Sequence, residues 1–142
     1  MDSGLLVRDV MSKNVKTVRP NSTINEVVRK MNKFEIGSII VVDNEKPVGI
    51  ITERDILRRV LEVTVASEAM KAKEIMSSPI ITIGSQATTE EAATLMNSKS
   101  IKKLPALENG KLVGIVTSTD IVRNEPRLVE TLSKMMWKKA KE

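Results

Sequence analysis

Two octapeptides, GIITERDI at Gly49–Ile56 and GIVTSTDI at Gly114–Ile121, decide how this chain folds. They stand 65 residues apart, and sliding the sequence by that distance aligns two halves without a gap. Met11-Ser12 falls on Met76-Ser77, Thr17 on Thr82, and Thr23-x-x-Glu26 on Thr88-x-x-Glu91. Met31-Asn32 falls on Met96-Asn97, and Ile36 on Ile101. Several matches are polar residues at fixed spacing, so a shared hydrophobic pattern does not account for them. A repeat of this kind sets the architecture before any single element is assigned.

Each half reads alike. A short helix ends near Met11 or Met76, and an extended piece follows at Lys16–Val18 or Ile81–Ile83. Thr23…Glu26 and Thr88…Glu91 have the form of capping boxes that open amphipathic helices. Ile24, Val27, Val28 and Met31 mark the first of their apolar faces. A hairpin comes next: Ser38–Asp43 and Val48–Thr52 flank a polar turn, matched by Leu104–Glu108 and Leu112–Thr117 around Asn109-Gly110. A helix beginning at Glu53 or Ser118 closes each half.

The order β-α-β-β-α, twice, predicts an α+β fold. A half of about 55 residues buries too little surface to be robust alone. The nearly continuous apolar run SIIVV predicts burial on both faces, consistent with two halves packed on each other. Val60–Ala72 lacks Gly and Pro and reads as helix, with Ser67 as its cap. The second closing helix stops around Asn124–Pro126, and a last helix covers Leu128–Lys141. The chain is thus divided into a first repeat at 1–66, a second at 67–125 and a basic amphipathic helix at 126–142.

Composition removes whole classes of function. The 142 residues include no Cys, His or Tyr, and the only aromatics are Phe34 and Trp137. Histidine-dependent catalysis, cysteine nucleophiles, disulfides and thiolate or imidazole metal sites are excluded. Two aromatics do not line a groove for stacked bases. No segment reads as a signal peptide or approaches the roughly 18 apolar residues of a spanning helix, so a cytoplasmic location is expected. The formal charge of +5 is concentrated in Arg127, Lys134, Lys138, Lys139 and Lys141, against Glu130 and Glu142. A nucleic-acid binder more often carries its basic stripe through the body of the domain.

Two gapless copies, each ending in Gly-hydrophobic-hydrophobic-Thr-x-x-Asp, resemble the CBS domain family arranged as a tandem pair, a Bateman module. The carrying segments are GIITERDI and GIVTSTDI, preceded by VRDVMSKNVKTVRPNSTINEVV and AKEIMSSPIITIGSQATTEEAA. The resemblance covers residues 5 to 125. It implies two repeats packed with pseudo-two-fold symmetry, a homodimer of modules, and a regulatory role without catalysis. It also implies adenosine-containing ligands, such as AMP, ADP, ATP or S-adenosylmethionine, bound in clefts between the repeats. Such modules sit beside enzymes including inosine-monophosphate dehydrogenase, whose barrel of about 250 residues does not fit in this chain.

Thr52 and Asp55 stand where a strand runs into the first turn of a helix, and Thr117 and Asp120 repeat them. An ionised Asp accepts only, and so can take bonds from both hydroxyls of a ribose. Thr and Asp at helix starts are also ordinary capping residues, stabilising by about 1 kcal/mol. By the resemblance, Thr52 and Asp55 share a cleft with Ile80, Ile81, Lys102 and Lys103, while Thr117 and Asp120 share the other with Val15, Lys16 and Arg54. Adenine would rest on aliphatic side chains. The cation count favours the Asp55 cleft for multiply charged phosphates, although two lysines stand where the family often carries a His-Arg-like pair.

The expected function is therefore a stand-alone sensor: a nucleotide binds, and a separate effector protein reads the altered shape. A ligand-free dimeric scaffold and a nucleic-acid-associated regulator using the basic tail are the alternatives. No nucleophile and base pair is apparent, so an enzyme is not expected. Neither a metal site nor a membrane partner is expected. Leu128, Leu132, Met135 and Met136 form one face of the last helix, which packs on its own module or on the dimer mate.

Overall fold

The structure, a computed structural model, describes residues 4–60 and 69–134. In chain order it contains α1 (Val7–Val10), β1 (Thr17–Val18), α2 (Ile24–Phe34), β2 (Ser38–Asp43), β3 (Lys46–Thr52) and α3 (Glu53–Arg59). The pattern recurs in α4 (Ala72–Ile75), β4 (Ile83–Gly84), α5 (Thr89–Lys99), β5 (Lys103–Glu108), β6 (Lys111–Thr117) and α6 (Ser118–Asn124). A 3-10 turn at Pro126–Leu128 leads into a helix over 129–134. The α+β class and both β-α-β-β-α repeats are as the sequence predicts. Residues 135–142, including Trp137, over which the sequence predicts the rest of that helix, lie outside the described residues.

By contact, the chain divides between Val15 and Lys16 and again between Ile80 and Ile81. This cut differs from that of the sequence repeats at 1–66 and 67–125. The middle segment is one unit, and the two flanking segments together make the other. Each repeat therefore gives its lead helix to the unit built on its neighbour: α4 belongs to the middle unit and α1 to the flanking one.

In the middle unit β1 runs parallel to β2, with Thr17 opposite Ile40, and β2 runs antiparallel to β3, with Ser38 opposite Thr52. The apolar stripe of α2 (Ile24, Val27, Met31) meets Ile39, Val41 and Ile51 in a core that also holds Val60, Ala72 and Ile75. Ile39, Ile40 and Val41 are consecutive and all buried, which explains the unbroken apolar run. Backbone bonds fasten the α4 segment: Ile24 N–H donates to Met70 O at 3.1 Å, and Ala72 N–H to Ser22 O at 2.8 Å.

Those bonds overturn the expected helix through Val60–Ala72 at its far end. Lys71 is extended, and Ala72 starts a new helix. Residues 61–68, including Ser67, lie outside the described residues. The capping boxes at Thr23 and Thr88 are half made. Thr23 Oγ1 accepts from Glu26 N–H at 3.2 Å and Thr88 Oγ1 from Glu91 N–H at 3.0 Å. Neither glutamate returns a bond among the described residues.

The flanking unit repeats the sheet, with Ile83 opposite Ala106 and Lys103 opposite Thr117. The extended piece expected at Ile81–Ile83 pairs only from Ile83 onward. Val7 of α1 joins Ala92, Ala93, Met96, Leu104, Ala106, Val116 and Ile121 in the core. Leu128 and Leu132 bury in that core as well. The described part of the last helix therefore packs on its own unit.

Both hairpins turn through two left-handed residues, Asn44 (φ 51°) with Glu45 (φ 67°), and Asn109 (φ 53°) with Gly110 (φ 79°). Only the second pair has glycine where an L-residue is strained. Glu45→Gly should stabilise the protein by about 0.5–1 kcal/mol in urea denaturation. A loss of stability would contradict the turn geometry.

Candidate functional site

Each strand-to-helix turn closes on itself through its threonine and aspartate. In the middle unit Thr52 N–H donates to Asp55 Oδ2 at 2.9 Å, and Asp55 N–H donates to Thr52 Oγ1 at 3.1 Å. In the flanking unit Thr117 N–H donates to Asp120 Oδ2 at 3.0 Å, and Asp120 N–H donates to Thr117 Oγ1 at 3.1 Å. Both pairs are reciprocal caps. The capping role that the residue types allowed is thus real, and what each carboxylate has left over decides its capacity for a ligand.

Here the two turns differ. Asp55 is only 8% exposed, and it accepts two further bonds. The Thr52 hydroxyl donates to Oδ2 at 3.1 Å, and the Ser77 hydroxyl donates to Oδ1 at 3.0 Å. Asp120 is less buried, and Thr117 N–H is its one hydrogen-bond donor among the described residues.

The motif glycines are explained by close approach rather than by backbone conformation. Ser77 and Ile50 exchange both backbone bonds, at 2.8 and 3.1 Å, which lays Met76 over Gly49. Ser12 and Ile115 do the same at 2.9 Å each, laying Met11 over Gly114. A β-carbon at either glycine would collide with the methionine. Sequence reading placed Met11-Ser12 and Met76-Ser77 in the repeat but gave them no role at the site. Their exact match at the repeat offset was the signal.

Arg59 was also missed. Its Nη1 donates to Ile75 O at 3.2 Å and to Met76 O at 2.9 Å, immediately before Ser77. The matching residue in the flanking unit is Asn124, whose shorter side chain turns back to Asp120 O at 2.8 Å.

The other expected site residues fall into one unit or the other. The middle unit holds Lys16, Thr52, Arg54, Asp55 and Ile80, and the flanking unit holds Val15, Ile81, Lys102, Lys103, Thr117 and Asp120. Lys103 is the cross-strand partner of Thr117, and Lys102 O accepts from Ser118 N–H at 2.9 Å. Both lysines are exposed and stand beside the Asp120 turn within their unit. Arg54 is exposed at the start of α3. Lys16 places its ammonium 4.1 Å from the centroid of the Phe34 ring, a cation–π contact. Ile81 packs against the flanking core, and Val15 and Ile80 are half-buried. In the C-terminal segment, Arg127 pairs with Glu125 at 3.4 Å and Glu90 at 3.3 Å, so that cation is already committed within the protein.

A crevice of about 810 Å³ in the middle unit lies at the other end of the β2–β3 hairpin, lined by Arg19, Asp43, Glu45 and Lys73 among others. Its charges are mixed, and it is separate from the Thr52 turn. Among the described residues no cluster of three or more acidic side chains has the arrangement of a metal site. None of the described helices is long and apolar enough to cross a membrane.

Comparison with known proteins settles the family. The model of the CBS domain matches twice, at residues 7–62 and 72–127. This chain belongs to the CBS domain family. An uncharacterized protein of Methanopyrus kandleri is 40% identical over 134 residues, covering 93% of this CBS chain and 68% of that protein. A CBS domain-containing protein of Bacillus subtilis is 33% identical over 119 residues, 84% of each chain. Inosine-5′-monophosphate dehydrogenase of Methanocaldococcus jannaschii is 33% identical over 117 residues, and this chain covers only 22% of its length. The relation to that enzyme is through the CBS pair.

Among solved structures, a CBS domain protein named NE2398 superposes with a TM-score of 0.76 at 27% identity, over 84% of this chain and 97% of that one. A protein named CBSX2, solved in complex with AMP, superposes with a TM-score of 0.73 at 21% identity, over 88% and 98%. At that identity it bears on the fold alone.

Proposed function

We propose that this CBS-pair protein is a regulatory sensor that binds an adenosine-containing ligand, AMP, ADP, ATP or S-adenosylmethionine, at a Thr-x-x-Asp turn. A separate effector protein then reads the change. The observation that carries this reading is the Thr117–Asp120 turn. A carboxylate locked in place by its own cap keeps most of its acceptor capacity for hydroxyl donors, as a ribose diol requires. The exposed Lys102 and Lys103 beside that turn supply positive charge for phosphate. The CBSX2 protein, which shares the fold, was solved in complex with AMP, a ligand of this class.

Regulation requires the ligand to prefer one of two states of the protein, through conformation or dimer geometry. Titration calorimetry with AMP, ADP, ATP and S-adenosylmethionine tests the reading. Binding tighter than millimolar to at least one of them is expected, and its absence for all four would overturn it. Dimerisation, measured by light scattering with and without ligand, is expected to respond to the same compound.

A further inference from the structure

We infer that the two Thr-x-x-Asp turns are not equivalent: Asp120 is the open ribose receptor, and Asp55 is closed by the chain's own Ser77. The inference rests on the nucleotide reading above and names which half of the repeat serves it.

The argument is a count of acceptor sites. An ionised carboxylate offers about four lone-pair positions. At Asp55 three are used, by Thr52 N–H, the Thr52 hydroxyl and the Ser77 hydroxyl. One remains, on a side chain that is almost wholly buried, and a ribose diol needs two. At Asp120 Thr117 N–H is the one donor among the described residues, which leaves room for both hydroxyls of a ribose. Among the described hydrogen bonds, the Thr117 hydroxyl, unlike that of Thr52, makes none to its aspartate carboxylate.

The asymmetry has a cause in the sequence. Serine stands at both matching positions, 12 and 77, so residue identity there does not explain it. The difference lies one element away. Arg59 reaches the carbonyls of Ile75 and Met76 and holds the segment that delivers the Ser77 hydroxyl to Asp55. Asn124, at the matching place in the other repeat, is too short for that and bonds to its own helix. Ser12 stays exposed, and its hydroxyl makes no described bond to Asp120. Arg59 is thus a positioning residue: it acts through Ser77 and makes no contact with Asp55 among the described hydrogen bonds. The cation count along the sequence weighted the Asp55 turn, whereas the acceptor count weights Asp120.

Calorimetry of the full chain with AMP tests this, with thermal unfolding as a check on folding. The wild type should bind one AMP per chain. Asp120→Ala should weaken that binding by about 10–100-fold, the loss of bonds to a charged acceptor, while Asp55→Ala leaves it within about twofold. Ser77→Ala and Arg59→Asn should each add a second binding event, and Ser12→Ala should add none. If the wild type binds AMP but loses it in Asp55→Ala and keeps it in Asp120→Ala, the assignment is overturned and the nucleotide reading survives. Two equal sites in the wild type overturn it as well. If no ligand of the class binds any of the proteins, the nucleotide reading falls first and the assignment with it.

Discussion

Gly114→Ala should destabilise the protein by about 2–3 kcal/mol, more than Gly49→Ala, which should cost about 1–2 kcal/mol. The two glycines are matched in the repeat and both lie under a methionine, yet their surroundings differ in what can yield. A β-carbon at Gly49 meets only the side chain of Met76 among its nearest atoms, and an unbranched thioether can swing aside. At Gly114 the same carbon would lie 2.5 Å from Met11 Sδ and 2.9 Å from the carbonyl oxygen of Ser12. That carbonyl is fixed by its bond from Ile115 N–H at 2.9 Å, so relief there means opening a bridge that fastens α1. Equilibrium urea denaturation of the two variants measures the difference. Met76→Ala should recover most of the loss in Gly49→Ala, and Met11→Ala should recover little of that in Gly114→Ala. Equal costs with equal rescue would show that the Ser12 backbone plays no part.

The same residues show how far the sequence could be read. The Gly-x-x-Thr-x-x-Asp spacing was legible because every member is held by local geometry: the cap fixes Thr and Asp, and the crossing methionine fixes Gly. The β-α-β-β-α order was legible for a related reason, since period-two strands, a helical stripe and turn dipeptides are all short-range signals. Where the chain fastens to itself at longer range, local signals gave out. Ala72 looked like the end of one helix, because nothing nearby in sequence says that Met70 O will accept from Ile24 N–H. The exchange of lead helices between the units was illegible on the same ground. Ser77 and Ser12 are identical in sequence, and only the reach of Arg59 against that of Asn124 tells them apart.

A buried polar pair in the flanking unit should prove strongly coupled. Thr89 and Glu125 are almost fully buried, and the Thr89 hydroxyl donates to Glu125 Oε1 at 3.3 Å. Arg127 Nε stands 3.4 Å from the other carboxylate oxygen. The repeat places Ile24 and Val60 at the matching positions of the middle unit, where both join the core. One fold thus solves the same contact twice, once with an apolar pair and once with a hydrogen-bonded one. Thr89→Ile alone removes a hydroxyl donor from a buried carboxylate and should cost about 1.5–3 kcal/mol, the range for a hydrogen bond to a charged group. Glu125→Val alone leaves the Thr89 hydroxyl without its acceptor, while Arg127 keeps its pair with Glu90, and should cost about 1–2 kcal/mol. The double variant imports the pair that the middle unit already uses and should lie within about 1 kcal/mol of the wild type, because replacing a buried charged contact by well-packed apolar groups is often neutral. A double-mutant cycle in urea reads the coupling directly. Additive losses would mean that the flanking unit has no room for the apolar solution, and that Glu125 anchors the final helix through Arg127 and Glu90 rather than through Thr89.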